Sequence, residues 1–302
     1  MIIKNIFSLA TSIISLFIFV LFLNVNSNSE ENNIKYYSND EGILSIMYHR
    51  FNEKKYPSTN IQMDIFKKHI EIIKNSNYDF LNPHEFYEVF SKPKLKKEIL
   101  ITIDDAFESF YNEAWPYLKK NKVPFILFVS TKPVGKKGYM TWEQIREIKR
   151  ENFVFIGHHS HSHEYLIDET SNKFIADIEK ANKIFLKELG HIPGLFSYPF
   201  GEYSKFMRDY ISQNFQFAFG QHSGVIDLNK DKFELPRFPI NEKYGELKRF
   251  QSIINYYPLE YKKLFPVEKQ LTYETNPPKF KVEFFKKQKN LNNITCYSNE
   301  LD

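Results

Sequence analysis

From about residue 42 to residue 256, short apolar runs of strand length take turns with longer stretches whose apolar residues recur at helical spacing. A chain patterned this way lays its strands side by side and covers them with helices, which is the α/β class built on a parallel sheet. Strands are expected at 43–47, 99–103, 125–129, 153–156, 195–198 and 215–219. Helices are expected between them at 63–75, 83–89, 107–120, 142–149, 172–189 and 203–213. In the fifth of these, Phe174, Ile178, Ala181, Ile184, Phe185 and Leu189 share one face, and Gly190 supplies the stop. No glycine-rich phosphate loop follows any strand, so the pattern favours a barrel over an open doubly wound sheet.

The flanks differ from this body. Residues 6–23 form an uncharged, mostly apolar run preceded by a single charge, Lys4, and followed by a polar stretch ending at Glu30-Glu31. That is the make-up of an export signal, and the run is also long enough to cross a bilayer. Residues 1–29 are therefore expected to be a signal peptide or membrane anchor and 30–41 a linker, with the rest exported, periplasmic or anchored to the membrane facing outside the cytoplasm. Beyond residue 257 the helical spacing stops, and Phe280, Val282 and Phe284 alternate with Lys281 and Glu283 after Asn276-Pro277-Pro278. Residues 257–302 are expected to be a short C-terminal β-rich appendage. Charge excludes one class of partner: 41 Lys and Arg against 37 Asp and Glu are spread too evenly for a nucleic-acid-binding surface. The single cysteine, Cys296, excludes an intrachain disulfide, so a metal would have to be held by His and Asp or Glu.

Three segments carry chemistry-bearing residues just after strand-like runs. Asp104-Asp105 ends the run Ile99-Leu100-Ile101-Thr102-Ile103. Two neighbouring carboxylates there repel one another unless a cation sits beside them, although an Asp at that position also serves to cap a following helix. His158, His159, His161 and His163 crowd the loop after Ile156. A helical turn would bring the rings of His159 and His163 to one face, within reach of one metal ion. Ser197-Tyr198-Pro199-Phe200-Gly201 reads as a strand running into a turn.

Taken in order, a Thr-x-Asp-Asp strand end, His-Ser-x-x-His and a Pro-aromatic-Gly turn resemble the polysaccharide deacetylases, the NodB-homology domain of carbohydrate esterase family four. Met47-Tyr48-His49-Arg50, Thr141-Trp142-Glu143-Gln144 and Leu235-Pro236-Arg237-Phe238 resemble the branch acting on poly-N-acetylglucosamine. The resemblance spans roughly residues 42–242 and implies a distorted (β/α) barrel over 42–256. It implies Asp104 as general base, Asp105, His159 and His163 as ligands of a divalent metal, and Pro199 and Phe200 as lining for the substrate, with the Phe200 N–H facing the oxyanion. Zinc suits such a ligand set best, and Co2+, Ni2+ or Fe2+ would also be accommodated. The implied partner is an N-acetylated polysaccharide of the cell envelope, and the implied activity is its N-deacetylation by a metal-dependent hydrolase.

Two positions depart from the family pattern. Ser197 stands where an arginine usually orients the base, and Arg237, grouped with Trp142 and the Pro199-Phe200 turn around the substrate, is a candidate replacement. The late Leu-x-Ile-His that supplies the catalytic acid is missing, which leaves His222 as the first candidate acid and His49 as the second. Two other readings stay open at this point: a deacylase of small molecules or O-acetyl esters, and a carbohydrate-binding relative without catalysis.

Overall fold

The computed structural model describes residues 42–91 and 97–285. The expected signal or anchor, the linker up to residue 41 and the end of the tail lie outside the described residues. Among those described, no helix is long and apolar enough to cross a membrane.

Five strands run parallel in sequence order: β5 (Lys97–Asp104), β6 (Phe125–Val129), β7 (Val154–His158), β8 (Leu195–Ser197) and β9 (Phe217–Phe219). β1 (Ile43–Tyr48) joins them along the free side of β5, and β4 (Tyr78–Phe80) pairs with the start of β5. The short β10 (Val225–Ile226) runs antiparallel to β1. β2 (Arg50–Phe51) and β3 (Asn60–Ile61) form a small parallel pair of their own. All six expected strands are present. β1 and β6 are buried along their whole length, as parallel strands covered on both faces must be.

The sheet curls, and one segment spans the gap between its edges. Ala218 N–H donates to the Lys232 carbonyl, Leu235 N–H to the Ala218 carbonyl and Gly220 N–H to the Leu235 carbonyl, which fastens residues 232–235 to β9. The same segment continues into β11 (Phe238–Pro239), which pairs in parallel with Ile46 and Met47 of β1. The strap from Lys232 to Pro239 thus closes a distorted barrel.

Strand residues alternate between the inside of this barrel and its helical coat. Ile99, Ile101 and Ile103 point outward and share a core with Phe66 and Ile70 of the helix Met63–Lys74 and with Leu118. Leu100, Phe128, Leu195, Phe219 and Leu235 fill the inside. Gly157 of β7 also faces inward, where a Cβ would lie 2.3 Å from the Phe128 ring, so this position tolerates no side chain. The same alternation carries Thr102 and Asp104 into the interior behind Leu100.

The helices follow expectation with two exceptions, of which the first is 83–89, a 3-10 turn (Pro83–Glu85) running into one α-helical turn (Phe86–Val89). Where a single helix was expected at 107–120, a π-turn (Phe110–Ala114) precedes a short helix (Trp115–Asn121). Pro116 has no N–H to give to the residue four before it, so the regular ladder cannot run through. Gly190 ends the helix Ser171–Leu189 at φ 79°, a left-handed stop. In the tail, β12 (Lys263–Phe265) pairs antiparallel with β13 (Lys281–Glu283).

Candidate active site

Because the strands are parallel, the loops after them gather at one end of the barrel, and the three chemistry-bearing segments meet there. Asp104 is the last residue of β5 and has no exposed surface. Arg237 reaches it across the interior with two parallel hydrogen bonds, Nη1 to Oδ1 at 2.7 Å and Nη2 to Oδ2 at 2.8 Å. The remaining guanidinium protons go to Thr102 Oγ1, Ser197 Oγ and the Gly220 carbonyl. All five donors are therefore spent inside the protein. The sequence offered Arg237 both among residues around the substrate and as a stand-in for the arginine that orients the base; with no proton left to give and no exposed surface, it is placed for the second role. Ser197 Oγ completes the cradle, donating to Asp104 Oδ2 at 3.3 Å. Burial alone would raise the Asp104 pKa, but the charge of Arg237, followed by those of His159 and His49, holds the carboxyl below its ordinary value.

Asp105, His159 and His163 converge beside this pair. Asp105 Oδ1 lies 3.0 Å from His163 Nε2 and 3.5 Å from His159 Nε2. Three ligands about 2.1 Å from one tetrahedral ion would stand about 3.4 Å apart, so the spacing fits. His159 shows the same thing by its hydrogen bonds. Its Nδ1 donates to the Ser197 carbonyl at 2.7 Å, which leaves the lone pair on Nε2. That Nε2 is buried without any hydrogen-bond partner and faces the space shared with the other two ligand atoms. Burial also lowers the His159 pKa to about 4, the state a metal ligand needs at neutral pH. Burial opposes protonation of His163 as well, but the Asp105 carboxylate outweighs it and raises that pKa.

The two histidines do not meet on a helical turn, as their spacing suggested. The loop reverses through Ser160 at φ 68° and His163 at φ 54°, and the ring centroids end 4.9 Å apart. Asp177 of the helix Ser171–Leu189 holds this shape by accepting from the His161 and Ser162 N–H groups. Asp105, Ala106 and Phe200 also sit at positive φ (74°, 53° and 57°). Non-glycine residues adopt such angles at a cost of about 1–3 kcal/mol each, and here they cluster around the ligand atoms.

The other sequence candidates fall around this centre. Phe200 sits in the turn Pro199–Gly201 with its ring edge-on to His163 at 4.7 Å. Trp142 opens the helix Trp142–Lys149 and packs edge-on against Phe185, so its ring joins two helices. His158 is enclosed by Phe185, Phe196 and Phe215, and His161 pairs with Thr131 Oγ1 at 2.7 Å. His49 lies one residue beyond β1, and the charges acting on it are Asp105, Asp104, Arg237 and His163. His222 lines a cleft of about 1210 Å³ between the strap and the tail, with Gly201, Tyr203 and Tyr261 but none of the three ligand candidates. The charges acting on it are Lys269 and Arg237.

Residues 91–216, which hold Asp104, Asp105, His159, His163 and the Pro199 turn, match the family model described as polysaccharide deacetylase. Over those residues the chain is similar to a polysaccharide deacetylase domain. Among curated relatives, the Bacillus subtilis (strain 168) protein YxkH, named as a polysaccharide deacetylase, is 26% identical over 162 residues. That match covers 53% of this chain and 57% of YxkH, so little more than half of that relative is represented. The poly-beta-1,6-N-acetyl-D-glucosamine N-deacetylase of Staphylococcus epidermidis (strain ATCC 35984) is 23% identical over 248 residues, covering 72% of this chain and 85% of its own. Among solved structures, IcaB from Ammonifex degensii superposes with a TM-score of 0.64 at 23% identity, covering 72% of this chain and 98% of IcaB. The shared feature in that last case is the fold.

The sequence did not single out Tyr165, Asp177 or the hydroxyl of Ser197. Tyr165 follows His163 by two positions, and its place in the histidine loop was the only available signal.

Proposed function

We propose that this chain removes N-acetyl groups from a β-1,6-linked N-acetylglucosamine polymer by hydrolysis, with a divalent cation held by Asp105, His159 and His163. The observation that carries the reading is the convergence of three ligand atoms beside a carboxylate that Arg237 locks in its charged form. The names and coverage of the relatives support the polymer. When bound, the cation supplies Lewis acidity toward water and the acetyl carbonyl, and zinc fits one carboxylate and two imidazoles best.

The remaining steps belong to the protein. Asp104 accepts a proton from the attacking water as its oxygen bonds to the acetyl carbon. The Phe200 N–H faces the developing oxyanion, a contact typically worth about 3–4 kcal/mol. The C–N bond then breaks, a protonated side chain gives its proton to the leaving nitrogen, and acetate and a free amine result. Burial lowers the pKa of both His49 and His222, but the Asp105 and Asp104 carboxylates oppose this at His49, whereas only the cations Lys269 and Arg237 act on His222, so His49 is the better supported donor. The apolar run at residues 6–23 supports action outside the cytoplasm.

Metal-loaded protein incubated with β-1,6-linked N-acetylglucosamine oligomers should release acetate. No acetate from any N- or O-acetylated glycan would sink the proposal. For His163→Ala, metal affinity measured by competition with a chromogenic chelator should fall by more than the roughly 10- to 100-fold that loss of an outer-shell partner costs. Unchanged affinity would remove the triad as the metal site. His49→Ala should lower kcat by about 10²- to 10⁴-fold and His222→Ala by less than about twofold. The opposite order would return the acid to His222.

A further inference from the structure

Tyr165 is not accounted for by the chemistry above, although it stands beside it. Its ring lies face to face with Phe200, centroids 3.9 Å apart and planes 2° from parallel. Phe200 in turn meets His163, a ligand candidate, at 4.7 Å. The three rings make a short chain of contacts leading from the ligand candidates to the surface, edge-on at His163 and stacked at Tyr165, and Tyr165 is its outer member, 53% exposed. Among the described residues its hydroxyl makes no hydrogen bond and its ring touches no other ring.

We infer that Tyr165 is a specificity-determining residue whose outer face receives a sugar ring of the polymer next to the one being deacetylated. The inference rests on the glycan reading above. A β-linked glucosamine ring carries its hydroxyl and amine substituents equatorially, so each broad face is a patch of axial C–H groups. Such a face stacks on a flat aromatic ring and gains from leaving water. Tyr165 is suited to this because the stack on Phe200 already orders it, so little side-chain freedom remains to be lost on binding. Phe200 is itself fixed by its left-handed backbone and by His163, which ties the platform to the reacting centre.

The test uses metal-loaded full-length protein. In Tyr165→Ala, KM for an N-acetylglucosamine tetramer should rise about three- to tenfold, the loss expected for one aromatic contact. Its kcat, its metal content and its hydrolysis of p-nitrophenyl acetate, which has no sugar ring, should stay at wild-type levels. Tyr165→Phe should keep the wild-type KM. Affinity for the fully de-N-acetylated tetramer, measured by calorimetry, should weaken by the same factor. That ligand has no acetyl group to lose, so the titration tests the platform even if the wild type releases no acetate. Equal affinity of wild type and Tyr165→Ala would overturn the inference. A fall in metal content or in p-nitrophenyl acetate hydrolysis would overturn it as well, by showing that the ring only props the centre.

Discussion

Asp104→Asn should lower the rate of acetate release by about 10²- to 10⁴-fold while the protein still takes up its metal. Asparagine keeps the shape of the side chain but cannot accept a proton, and Asp105, His159 and His163 are left intact as ligands. The result has a structural cost that the measurement must separate. Arg237 is fully buried and spends two of its five donors on this carboxylate, so the neutral amide leaves a guanidinium without its counter-charge. Breaking one side of a buried pair typically costs about 3–5 kcal/mol. Acetate release should therefore be read at a temperature where circular dichroism shows the variant folded, alongside its metal content. A folded, metal-loaded variant within about tenfold of the wild-type rate would show that Asp104 is not the base.

Arg237→Ala should be the most destabilising single change at the site. It strips Asp104 of its partner and leaves Thr102, Ser197 and the Gly220 carbonyl short of a donor. The expected loss is again about 3–5 kcal/mol, which for a domain near this size lowers Tm by roughly 6–20 °C. The pH dependence identifies the cause. In the wild type the Asp104 carboxyl is depressed, so its contribution is present above the unfolded carboxylate range near about 4 and is lost as pH falls through the lower folded value. Without Arg237, burial dominates and raises the carboxyl above its unfolded value. The variant then gains stability as pH falls through that raised value to the unfolded value near about 4, so the gap to the wild type should widen from about pH 4 to pH 7. Thermal melts of both proteins in chelator across that range check this. A pH-independent gap would mean that lost packing, not the stranded charge, is responsible.

What could be read in the sequence was whatever has a local signature. The run from Ile99 to Ile103 ending in two aspartates needs only its strand-length apolar character and the cost of paired carboxylates to mark a strand end and a cation site. The histidine loop was legible in content but not in shape. Spacing of four suggested a helical turn, while the chain reverses at Ser160 and His163, and nothing in a serine or histidine announces a positive φ. The Arg237 to Asp104 contact joins residues 133 positions apart, so sequence could offer Arg237 only as a candidate. Trp142 illustrates the converse, since an aromatic near a motif can be packing for the helices around it. In the tail, Tyr257 and Tyr261 wall a cleft against the strap, a role that exists only once the two segments meet.

The strap from Lys232 to Pro239 brings the last barrel edge together and delivers Arg237 in the same movement. A chain synthesised only to about residue 230 already possesses all three ligand candidates, but its interior carboxylate has no countercharge and is disfavoured as an anion in the apolar barrel. Competence as a base and closure of the barrel therefore arrive together, so a nascent or partly opened molecule could capture metal without being able to attack a glycan. On the proposed mechanism, catalysis would report that folding has reached the segment that closes the barrel.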